Sequence, residues 1–591
     1  MRRAGGAGAG AGGGSRPGGR RPGSGGSDEG GVPPLSTVAD ATSAVWDRLG
    51  LTTLFANPGS TEIPLLCRPD ERIRFVLGLH EGSVVGAATG YALATDRPAL
   101  VLLHTTAGFG NAVGAIATAR VNRAPLVVVV GQQDRRHLAS RPFLAGDLDG
   151  LAGSYPVWAA QPARAQDVPG TMERAWHEAR TRRGPAVVVV PMDDWDAESD
   201  PDGAASARTE ISAVAADPHS LAPLVEAIDG AGSPVVVVGA DADGAANWAA
   251  TVALAERLAA PVWQEPFGAR AGFPQDHRLF AGHLPAGRER LRHTLAGHDL
   301  VLVIGAPAFR QYPYEPGPLV AEGTRVAMVV DDAELAHHSP AELAVIGPIA
   351  GICGALAGAV KGRAHGSPAP ASSVSPASPV PLASSVSPAA PASWPGPEPS
   401  DRPGRGGGGL RPRQLFAALA ARVPADTIVV EESPSSRPDL HRFLPARHPL
   451  GFVSAAMGGL GFGLPAAVGL RMGCPDRPVI ALVGDGSSLY GIQALWTAAR
   501  YRVGALFMVL ANGRYAVMDR LAERAGHPGP WPPFPEISVA TLAEGLGCPA
   551  RRVGTEAELS AVLDETLPDL RAADSPLVVE VDVADEAYFA P

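Results

Sequence analysis

The nine residues Val479–Ser487, VIALVGDGS, decide the fold of the last third of the chain. Their five apolar residues predict a strand buried on both faces, and the glycines and Asp485 that follow predict its end. A second apolar run ends at Asn512, 27 residues after Asp485, which leaves room for one helix, predicted over Ser488–Tyr501. The spacing therefore predicts a strand–helix–strand unit of a parallel sheet, with Asp485 and Asn512 at neighbouring strand ends.

The side chains at these two strand ends are suited to a magnesium-bound diphosphate. The Asp485 carboxylate, the Asn512 amide oxygen and a backbone carbonyl are hard oxygen ligands, and Mg²⁺ keeps water and phosphate oxygens as its other ligands. Gly486 and Gly513 carry no side chain, so a diphosphate can approach the backbone closely. The alternative is two ordinary strand ends in a nucleotide-binding-like sheet.

Composition and charge argue against several classes of protein. The chain has 591 residues, 46% of them hydrophobic, and a net charge of −11 at pH 7. This length predicts several domains, and the lack of a basic block in the folded part argues against a nucleic-acid partner. No apolar run approaches the roughly 18 residues of a membrane span. The four cysteines are scattered without a CxxC pair, which predicts a reducing, cytoplasmic location.

Short apolar runs, each predicted to be a buried strand, alternate with alanine-rich helical stretches. This alternation predicts the α/β class, with parallel sheets covered on both faces. The predicted strands include 53–56, 74–79, 99–103, 126–130, 186–190, 234–238, 300–304, 326–330, 427–430, 479–483, 505–510 and 577–581.

The predicted strands fall into three groups, so we expect three Rossmann-like domains. A Pro/Ala/Ser-rich stretch between the second and third groups cannot bury a core and is predicted to be a flexible linker. The predicted segments are a disordered Gly/Arg-rich tail at 1–33, a first domain at 34–200, a central domain at 212–360, the linker at 361–410 and a third domain at 411–591.

Three polar residues of the first domain follow predicted strands. Glu81 precedes a helix predicted to start near Ser83, Ser60 follows an Asn-Pro-Gly turn, and His104 ends the strand 99–103. A carboxylate and an imidazole in such places can exchange protons near neutral pH. Each also has an ordinary explanation: Glu81 as an acid in a first helical turn, Ser60 as a helix N-cap and His104 as a satisfied strand-end residue.

The motif in the third domain resembles the diphosphate-anchoring motif of thiamine diphosphate enzymes, which is usually GDG followed by NN. Ala511 stands where the first Asn is usual, whereas Asn512 keeps the second, metal-binding one. The resemblance implies thiamine diphosphate and Mg²⁺ as cofactors. It also implies that the three domains are a pyrimidine-binding, a central and a diphosphate-binding domain.

Several motifs in combination resemble the benzoylformate decarboxylase family. They include the turn Asn57–Ser60, the helix that starts near Glu81, and His104 ahead of a turn at Gly108–Asn111. The segments Gly305–Arg310 and Ala456–Pro465 also resemble that family, and the resemblance spans about 35–590 outside the linker. One departure is Tyr312, which stands where the family has a second active-site histidine.

The resemblance assigns roles to individual residues. Glu81 would activate the cofactor, Ser60 would orient the substrate carboxylate, and His104 would transfer protons, with Tyr312 in place of the missing histidine. The cofactor-binding set is Glu81, Glu432, Ser433, Ser435, Gly458, Leu460, Gly484, Asp485, Gly486, Ser487, Asn512 and Tyr515. The metal ligands are Asp485, Asn512 and the Arg514 carbonyl, and the substrate pocket comprises Ser60, Phe109, Phe143, Leu144, Val517 and Met518. Apart from Ser60 these pocket residues are apolar, and they are equally suited to be core residues.

The resemblance implies the non-oxidative decarboxylation of a 2-oxo acid, with an aryl acid such as benzoylformate favoured, to an aldehyde and CO2. It also implies a homo-oligomer, at least a dimer and expected to be a tetramer, in which Glu81 and Asp485 meet across a subunit boundary. Two alternatives stay open, since Tyr312 and Ala511 depart from the pattern. One is a carboligase or acetolactate synthase-like enzyme, and the other is a catalytically silent cofactor-binding subunit.

Overall fold

The structure is a computed structural model that describes residues 36–68, 70–200, 217, 219–312, 314–363 and 409–584. The predicted tail at 1–33 and most of the predicted linker lie outside these residues. Within them the chain forms three sheets, each of six parallel strands. None of the helices described in these ranges combines the length and the hydropathy that crossing a bilayer requires.

The N-terminal unit has the strand order β2-β1-β3-β4-β6-β5. Its strands are β1 Thr53–Asn57, β2 Arg74–Leu77, β3 Ala99–Leu103, β4 Leu126–Gln132, β5 Trp158–Ala160 and β6 Pro185–Pro191. Its helices are α1 Val38–Arg48, α2 Ile63–Leu66, α3 Glu81–Thr95, α4 Thr105–Val121 and α5 Val168–Arg182. The long helices α3 and α4 both begin at the carboxyl edge of this sheet. Glu81 is the first residue of α3, and His104 directly precedes α4.

The central unit has the strand order β12-β11-β10-β7-β8-β9, which is the doubly wound order of dinucleotide-binding folds. Its strands are β7 Pro234–Val238, β8 Val262–Gln264, β9 Phe280–His283, β10 Leu300–Ile304, β11 Arg325–Val330 and β12 Leu343–Ile346. Its helices are α6 Ala222–Gly230, α7 Ala245–Leu258, α8 Arg288–Thr294, α9 Ala333–His338 and α10 Ile349–Ala359.

The C-terminal unit repeats the topology of the N-terminal one, with the order β14-β13-β15-β16-β18-β17. Its strands are β13 Ile428–Glu432, β14 Phe452–Ser454, β15 Val479–Gly484, β16 Leu506–Ala511, β17 Ala550–Val553 and β18 Leu577–Asp582. Its helices are α11 Pro412–Ala420, α12 Arg437–Phe443, α13 Gly463–Gly473, α14 Asp485–Ser488, α15 Ala494–Arg500, α16 Ala516–Arg524, α17 Val539–Gly545 and α18 Glu556–Thr566.

The N-terminal and C-terminal units share one hydrophobic core, built where α3 packs along α13. Small residues allow the two helices to approach closely. A Cβ atom added at Gly469 would lie 1.8 Å from the Ala87 carbonyl oxygen, and one at Gly90 would lie 2.2 Å from the Ala466 carbonyl oxygen. The glycines of both helices are therefore required by contact with the partner backbone.

Two predicted elements differ from the structure. The helix predicted over Ser488–Tyr501 is shorter in the structure, because only Ala494–Arg500 forms α15 and Ser488 ends the short helix α14. Gly491 lies between the two helices, where a Cβ would be 2.8 Å from the Gly461 carbonyl oxygen. The turn predicted at Gly108–Asn111 lies instead within α4. Gly108 packs there against Glu81, since a Cβ would lie 3.4 Å from its Oε1 atom.

Candidate active site

A cleft of about 310 Å³ opens at the carboxyl edge of the C-terminal sheet. Parallel sheets bind ligands at this edge, because the loops that follow neighbouring strands diverge there. Its lining includes Ser433, Ser435, Gly458, Leu460, Gly484, Asp485, Gly486, Ser487, Asn512, Arg514, Tyr515, Val517 and Met518, all of which were predicted from the sequence. Pro412, Pro434, Ser436, Pro438, Asp439, Leu510, Ala516, Val583 and Ala584 complete it.

Asp485 is buried at the floor of this cleft, and two backbone groups hold its carboxylate. The Gly486 N–H donates to Oδ1 at 2.8 Å, and the Gly513 N–H donates to Oδ2 at 2.6 Å. Gly513 has φ +70°, a conformation that side chains disfavour. The Asn512 Oδ1 atom accepts from the Arg514 N–H at 3.2 Å. The loops of β15 and β16 are thereby tied together around the predicted ligands.

The donor set of the cleft fits a magnesium-bound diphosphate. Asp485 and Asn512 offer one carboxylate and one amide oxygen, as the hard oxygen preference of Mg²⁺ requires. In the described part of the chain no group of three His, Cys, Asp or Glu side chains could hold a metal by itself, so this site needs further oxygens, such as those of a diphosphate. The buried Ser433 Oγ atom lines the cleft and has no hydrogen-bond partner among the described residues, as a group that awaits a ligand would.

Glu432, predicted as a cofactor-binding residue, is buried behind the cleft and does not line it. Its carboxylate accepts from the backbone N–H groups of Gly461 and Phe462, each at 2.7 Å, and from that of Gly463. Burial raises the pKa of Glu432 to about 7, against the opposing effect of these donors. Glu432 therefore anchors the segment that carries Gly458 and Leu460.

Glu81 begins α3 and is largely buried. The Asn57 Nδ2 atom donates to its Oε1 at 2.9 Å, and the Asn111 Nδ2 atom donates to its Oε2 at 3.1 Å. Asn57 ends β1 and Asn111 lies in α4, so residues from β1 and α4 both bind the carboxylate at the start of α3. Two amide donors fix the orientation of this group for proton exchange.

His104 is held by a second, unpredicted carboxylate. Its Nδ1 atom lies 3.1 Å from Glu62 Oε2 and 3.0 Å from Thr61 Oγ1. Glu62 is buried, and it also accepts from the Gly59 N–H at 2.6 Å. A carboxylate at Nδ1 favours the tautomer with its proton there, which leaves Nε2 to exchange protons with a ligand.

Glycines make room for this arrangement. A Cβ at Gly131 would lie 1.6 Å from Glu62 Oε1, and a Cβ at Gly59 would lie 2.3 Å from the His104 ring. The Asn-Pro-Gly-Ser turn and the strand end at Gly131 thus have glycine where Glu62 and His104 pass. Ser60 itself is exposed and begins a short 3₁₀ helix over Ser60–Glu62.

The predicted pocket residues do not form one surface in a single chain. Val517 and Met518 line the cleft, whereas Phe109 is 2% exposed and packs in the core. Phe143 is 86% exposed on a loop, and its backbone carbonyl oxygen accepts from Gln133 Nε2 at 2.8 Å. Leu144 follows it with φ +66°. For Phe109 the position is that of a core residue, the alternative left open by the sequence.

Tyr312 also lies outside the cleft. Half of its side chain is exposed, and its backbone N–H donates to the Ala286 carbonyl oxygen at 3.2 Å. The preceding Phe309 has φ +63°, so this loop turns sharply after β10.

The two predicted groups of residues do not meet within one chain. Every residue that lines the cleft lies between 412 and 584, and Glu81, Ser60 and His104 are not among them. The end of β2, near Glu81, contacts a different part of the C-terminal unit. Thr497 Oγ1 donates to the Leu77 carbonyl oxygen at 3.1 Å, and the Leu77 N–H donates to the Tyr501 hydroxyl oxygen at 2.8 Å.

Comparison with protein families assigns this architecture to a class. The N-terminal TPP binding domain of thiamine pyrophosphate enzymes matches residues 36–152, the central domain of these enzymes matches 221–356, and their C-terminal TPP binding domain matches 435–581. The chain therefore belongs to the thiamine pyrophosphate enzyme family.

Within that family the chain is similar to benzoylformate decarboxylases. It is 38% identical over 555 residues to the benzoylformate decarboxylase of Pseudomonas aeruginosa, covering 93% of this chain and 99% of that protein. The solved structure of a thiamine diphosphate-dependent 4-hydroxybenzoylformate decarboxylase from Rhodococcus jostii matches with a TM-score of 0.83 and 38% identity, over 93% of this chain and 100% of the other. The acetolactate synthase large subunit of Corynebacterium glutamicum is 26% identical, over 95% of this chain and 88% of that protein.

Proposed function

We propose that the protein is a thiamine diphosphate- and Mg²⁺-dependent decarboxylase that converts an aryl 2-oxo acid, such as benzoylformate, to an aldehyde and CO2. The observation that carries the proposal is the cleft at the C-terminal sheet edge, which gathers Asp485, Asn512 and the unpartnered Ser433 hydroxyl group. The similarity to benzoylformate decarboxylases over 93% of the chain supports the choice of substrate class.

In this proposal the cleft holds the cofactor at its diphosphate end. Asp485, Asn512 and the Arg514 carbonyl hold Mg²⁺. Backbone groups at Gly486 and the side chains of Ser433 and Ser435 receive the diphosphate, because glycine and hydroxyl groups offer donors without bulk. Leu460, 40% exposed on the cleft wall, would support the cofactor through apolar contact, and the Gly458 carbonyl group would accept a hydrogen bond from it.

The proposed mechanism divides proton handling between two residues of the N-terminal unit. When bound, thiamine diphosphate supplies a thiazolium ring that can store the electron pair left by departing CO2. Glu81, fixed by Asn57 and Asn111, would hold a proton at a carboxylate oxygen for exchange when the cofactor is bound. His104, with Nδ1 on Glu62, gives and takes protons at Nε2. The exposed Ser60 hydroxyl group orients the substrate carboxylate.

This division requires more than one chain. Glu81 and Asp485 do not share a cleft in a single chain, so we propose a homo-oligomer in which the N-terminal edge of one subunit covers the C-terminal cleft of another. A symmetric dimer supplies two such sites, and a dimer of dimers supplies four. The proposed location is the cytoplasm.

The direct test is turnover of benzoylformate with thiamine diphosphate and Mg²⁺, against a panel of aliphatic 2-oxo acids. We expect CO2 and benzaldehyde in equal amounts, and a preference for the aryl acid. The matched control is Glu81→Gln, which should bind the cofactor and release little or no CO2. Cofactor binding without CO2 release from any acid by the unaltered protein would refute the decarboxylase proposal, and full turnover by Glu81→Gln would refute the mechanism.

A second candidate activity is carboligation, in which the substrate-derived carbon adds to an aldehyde before it is protonated. The observation that favours it is Tyr312, which stands where the family has a second active-site histidine, because a phenol is a much weaker acid than an imidazolium group. Adding an acceptor aldehyde to the same assay distinguishes the two. Acyloin formed faster than free aldehyde would make ligation the main activity.

A further inference from the structure

The segment between β14 and α13 carries the two groups proposed to shape the bound cofactor, Gly458 and Leu460. Leu460 lines the cleft and is 40% exposed, and the neighbouring Met457 is 45% exposed. Gly458 has φ +71° and Gly461 has φ +89°, so glycines supply its sharp turns. A short exposed loop of this kind is not held by packing on its outer side, and its shape depends on hydrogen bonds at its two ends.

Asn122, from the N-terminal unit, holds the start of this segment. Its side chain is fully buried and makes two hydrogen bonds. Nδ2 donates to the Ser454 carbonyl oxygen at 3.0 Å, and Oδ1 accepts from the Ala456 N–H at 3.0 Å. The amide thus pairs with this stretch as a neighbouring strand would. Thr118, one helical turn before Asn122, backs the same loop, since a Cβ at Gly459 would lie 2.9 Å from its Oγ1 atom.

Arg310, from the central unit, binds the carbonyl group of the same residue, Ala456. Its Nη1 atom donates to the Ala456 carbonyl oxygen at 3.0 Å and to the Phe267 carbonyl oxygen at 3.3 Å. Arg310 lies in the loop that follows β10, directly after Phe309, where the chain turns with a positive φ. The N–H of Ala456 is therefore bound by one unit and its carbonyl group by another.

Two further contacts hold the ends of the segment. The Ser454 N–H donates to the Ala269 carbonyl oxygen at 2.9 Å, which adds a second contact from the central unit. Glu432 binds the far end through the N–H groups of Gly461, Phe462 and Gly463. Both anchors are thus in place a few residues from Gly458 and Leu460.

We propose that Asn122 and Arg310 are positioning residues for the cofactor. By binding Ala456 from two units, they fix the position and orientation of Gly458 and Leu460 in the cleft. Neither side chain lines the cleft, so both act through the segment. The inference rests on the proposed function, since it assumes that Gly458 and Leu460 support thiamine diphosphate. Its consequence is that cofactor geometry depends on contacts made in the other two units.

The test compares two conservative variants with two matched controls in the full-length protein. Asn122→Asp keeps the size and the acceptor but loses the donor to Ser454, and Arg310→Lys keeps the charge but shortens the reach. Asn247→Asp is the control for the first, because Asn247 makes the same kind of two-sided bridge within the central unit, to the Asp241 carbonyl oxygen at 2.8 Å and from the Ala350 N–H at 3.1 Å. Arg120→Lys is the control for the second, because Arg120 joins the N-terminal and central units through Glu334 at 3.0 Å, without contact to Ala456.

The readouts are the dissociation constant of thiamine diphosphate in Mg²⁺, the near-ultraviolet circular dichroism induced by the bound cofactor, and the thermal midpoint. We expect Asn122→Asp and Arg310→Lys to weaken cofactor binding roughly tenfold or more, as loss of a hydrogen bond to a fixed loop implies, and to change the induced dichroism. Both controls should leave these two readouts unchanged.

Binding and induced dichroism within twofold of the unaltered protein in both variants would overturn the proposal, even if their thermal midpoints fell as far as those of the controls. If Asn122→Asp does not fold, Arg310→Lys decides alone, since Arg310 lies at the edge of the contact and is only partly buried. Failure of the unaltered protein to bind the cofactor would overturn the proposed function together with this inference. Normal binding and turnover in the unaltered protein, with normal binding in both variants, would overturn the inference alone.

Discussion

Carboxylates held by neighbouring side chains define the N-terminal half of the site at the scale of single residues. Glu81 is fixed by two asparagines, and His104 is fixed by Glu62. Glu81 and His104, the residues proposed to transfer protons, are thus each oriented by one or two neighbouring side chains. Orientation of this kind determines how well a proton donor and acceptor are aligned.

Asn111→Ala tests the first of these pairs. It removes one of the two donors to Glu81, and we expect turnover to fall about 10- to 100-fold, because a hydrogen bond to a charged group contributes roughly 1.5–3 kcal/mol. The thermal midpoint should barely change, since the Asn111 side chain is exposed in the single chain. Asn111→Asp, which places a second carboxylate beside Glu81, should cost more activity than Asn111→Ala. Steady-state kinetics on the two variants checks the order, and equal activity in all three proteins would contradict it.

The sequence predicts which polar residues follow the ends of the long strands, but it does not predict the residues that hold them. Asp485 and Asn512 follow strands whose apolar runs are unambiguous, so their place at one sheet edge could be predicted. Glu62 and His104 are 42 residues apart, and their contact depends on the order of strands in the folded sheet. Glu432, which the resemblance assigns to the cofactor, binds the backbone of the loop at Gly461–Gly463, a contact that the sequence does not reveal.

Helix α3 is the element on which the largest contact of the molecule is built. It begins with Glu81 and packs along α13, which follows the Gly458–Leu460 segment. Glycines on both helices bring the backbones into contact. The position of Glu81 relative to the C-terminal unit is therefore set by a small-residue helix pair.

Gly469→Ala should disrupt this pair. The added Cβ would lie 1.8 Å from the Ala87 carbonyl oxygen, a backbone atom that cannot move aside without shifting α3. We expect a loss of about 1–3 kcal/mol or more in the free energy of unfolding, as for overpacked cores. Gly354→Ala is the matched control, because Gly354 lies in helix α10 with open space around it, and it should stabilise by about 0.5–1 kcal/mol. Urea unfolding measures the free energy of unfolding of both variants. Equal changes would show that the close approach of α3 and α13 does not determine the effect of an added methyl group.

Among the elements, the central strands were predicted within about two residues, whereas six strands were missed. These are β5, β8, β9, β12, β14 and β17, of which all but β8 lie at a sheet edge. They are three or four residues long, and β5, β9 and β12 have no buried residue and β17 has one, so no continuous buried run marks these four. The α/β class and the family are confirmed, because they depend on the long buried strands and on the motifs that follow them.

At the scale of the whole molecule, the central unit contacts the C-terminal unit through a pair of partly buried histidines. The rings of His283 in β9 and His441 in α12 stack with 3.8 Å between centroids. The His441 Nδ1 atom is buried without a hydrogen-bond partner among the described residues. Burial lowers the pKa of His283 to about 4 and holds the pKa of His441 well below its usual range, and the Arg437 guanidinium group adds to both effects.

This pair predicts a loss of stability in acid. Both rings are neutral in the folded protein, and they gain protons on unfolding once the pH falls below about 6.5. The contribution of the two neutral rings to the free energy of unfolding is therefore fully present above that pH and is lost as the pH falls towards 4. Roughly 3 kcal/mol of it is attributable to His283. His441→Phe should flatten the dependence of the unfolding free energy on pH between 7.5 and about 5.

The matched control is His527→Phe, at an exposed position. It should leave the pH dependence as it is in the unaltered protein. A parallel fall of stability in His441→Phe and the unaltered protein would contradict the role of the stacked pair.

The confinement of the cleft to one unit has a genetic consequence. Glu81→Gln and Asp485→Asn should each abolish turnover alone, but they damage opposite halves of the proposed site. When the two chains are co-expressed, half of the dimers are hybrids, and each hybrid holds one intact site and one doubly damaged site. Activity should then return to about a quarter of that of the unaltered enzyme, as random pairing in a symmetric dimer requires. Two dead alleles would thus rescue each other, and no recovery in confirmed hybrids would mean that each chain completes its own site.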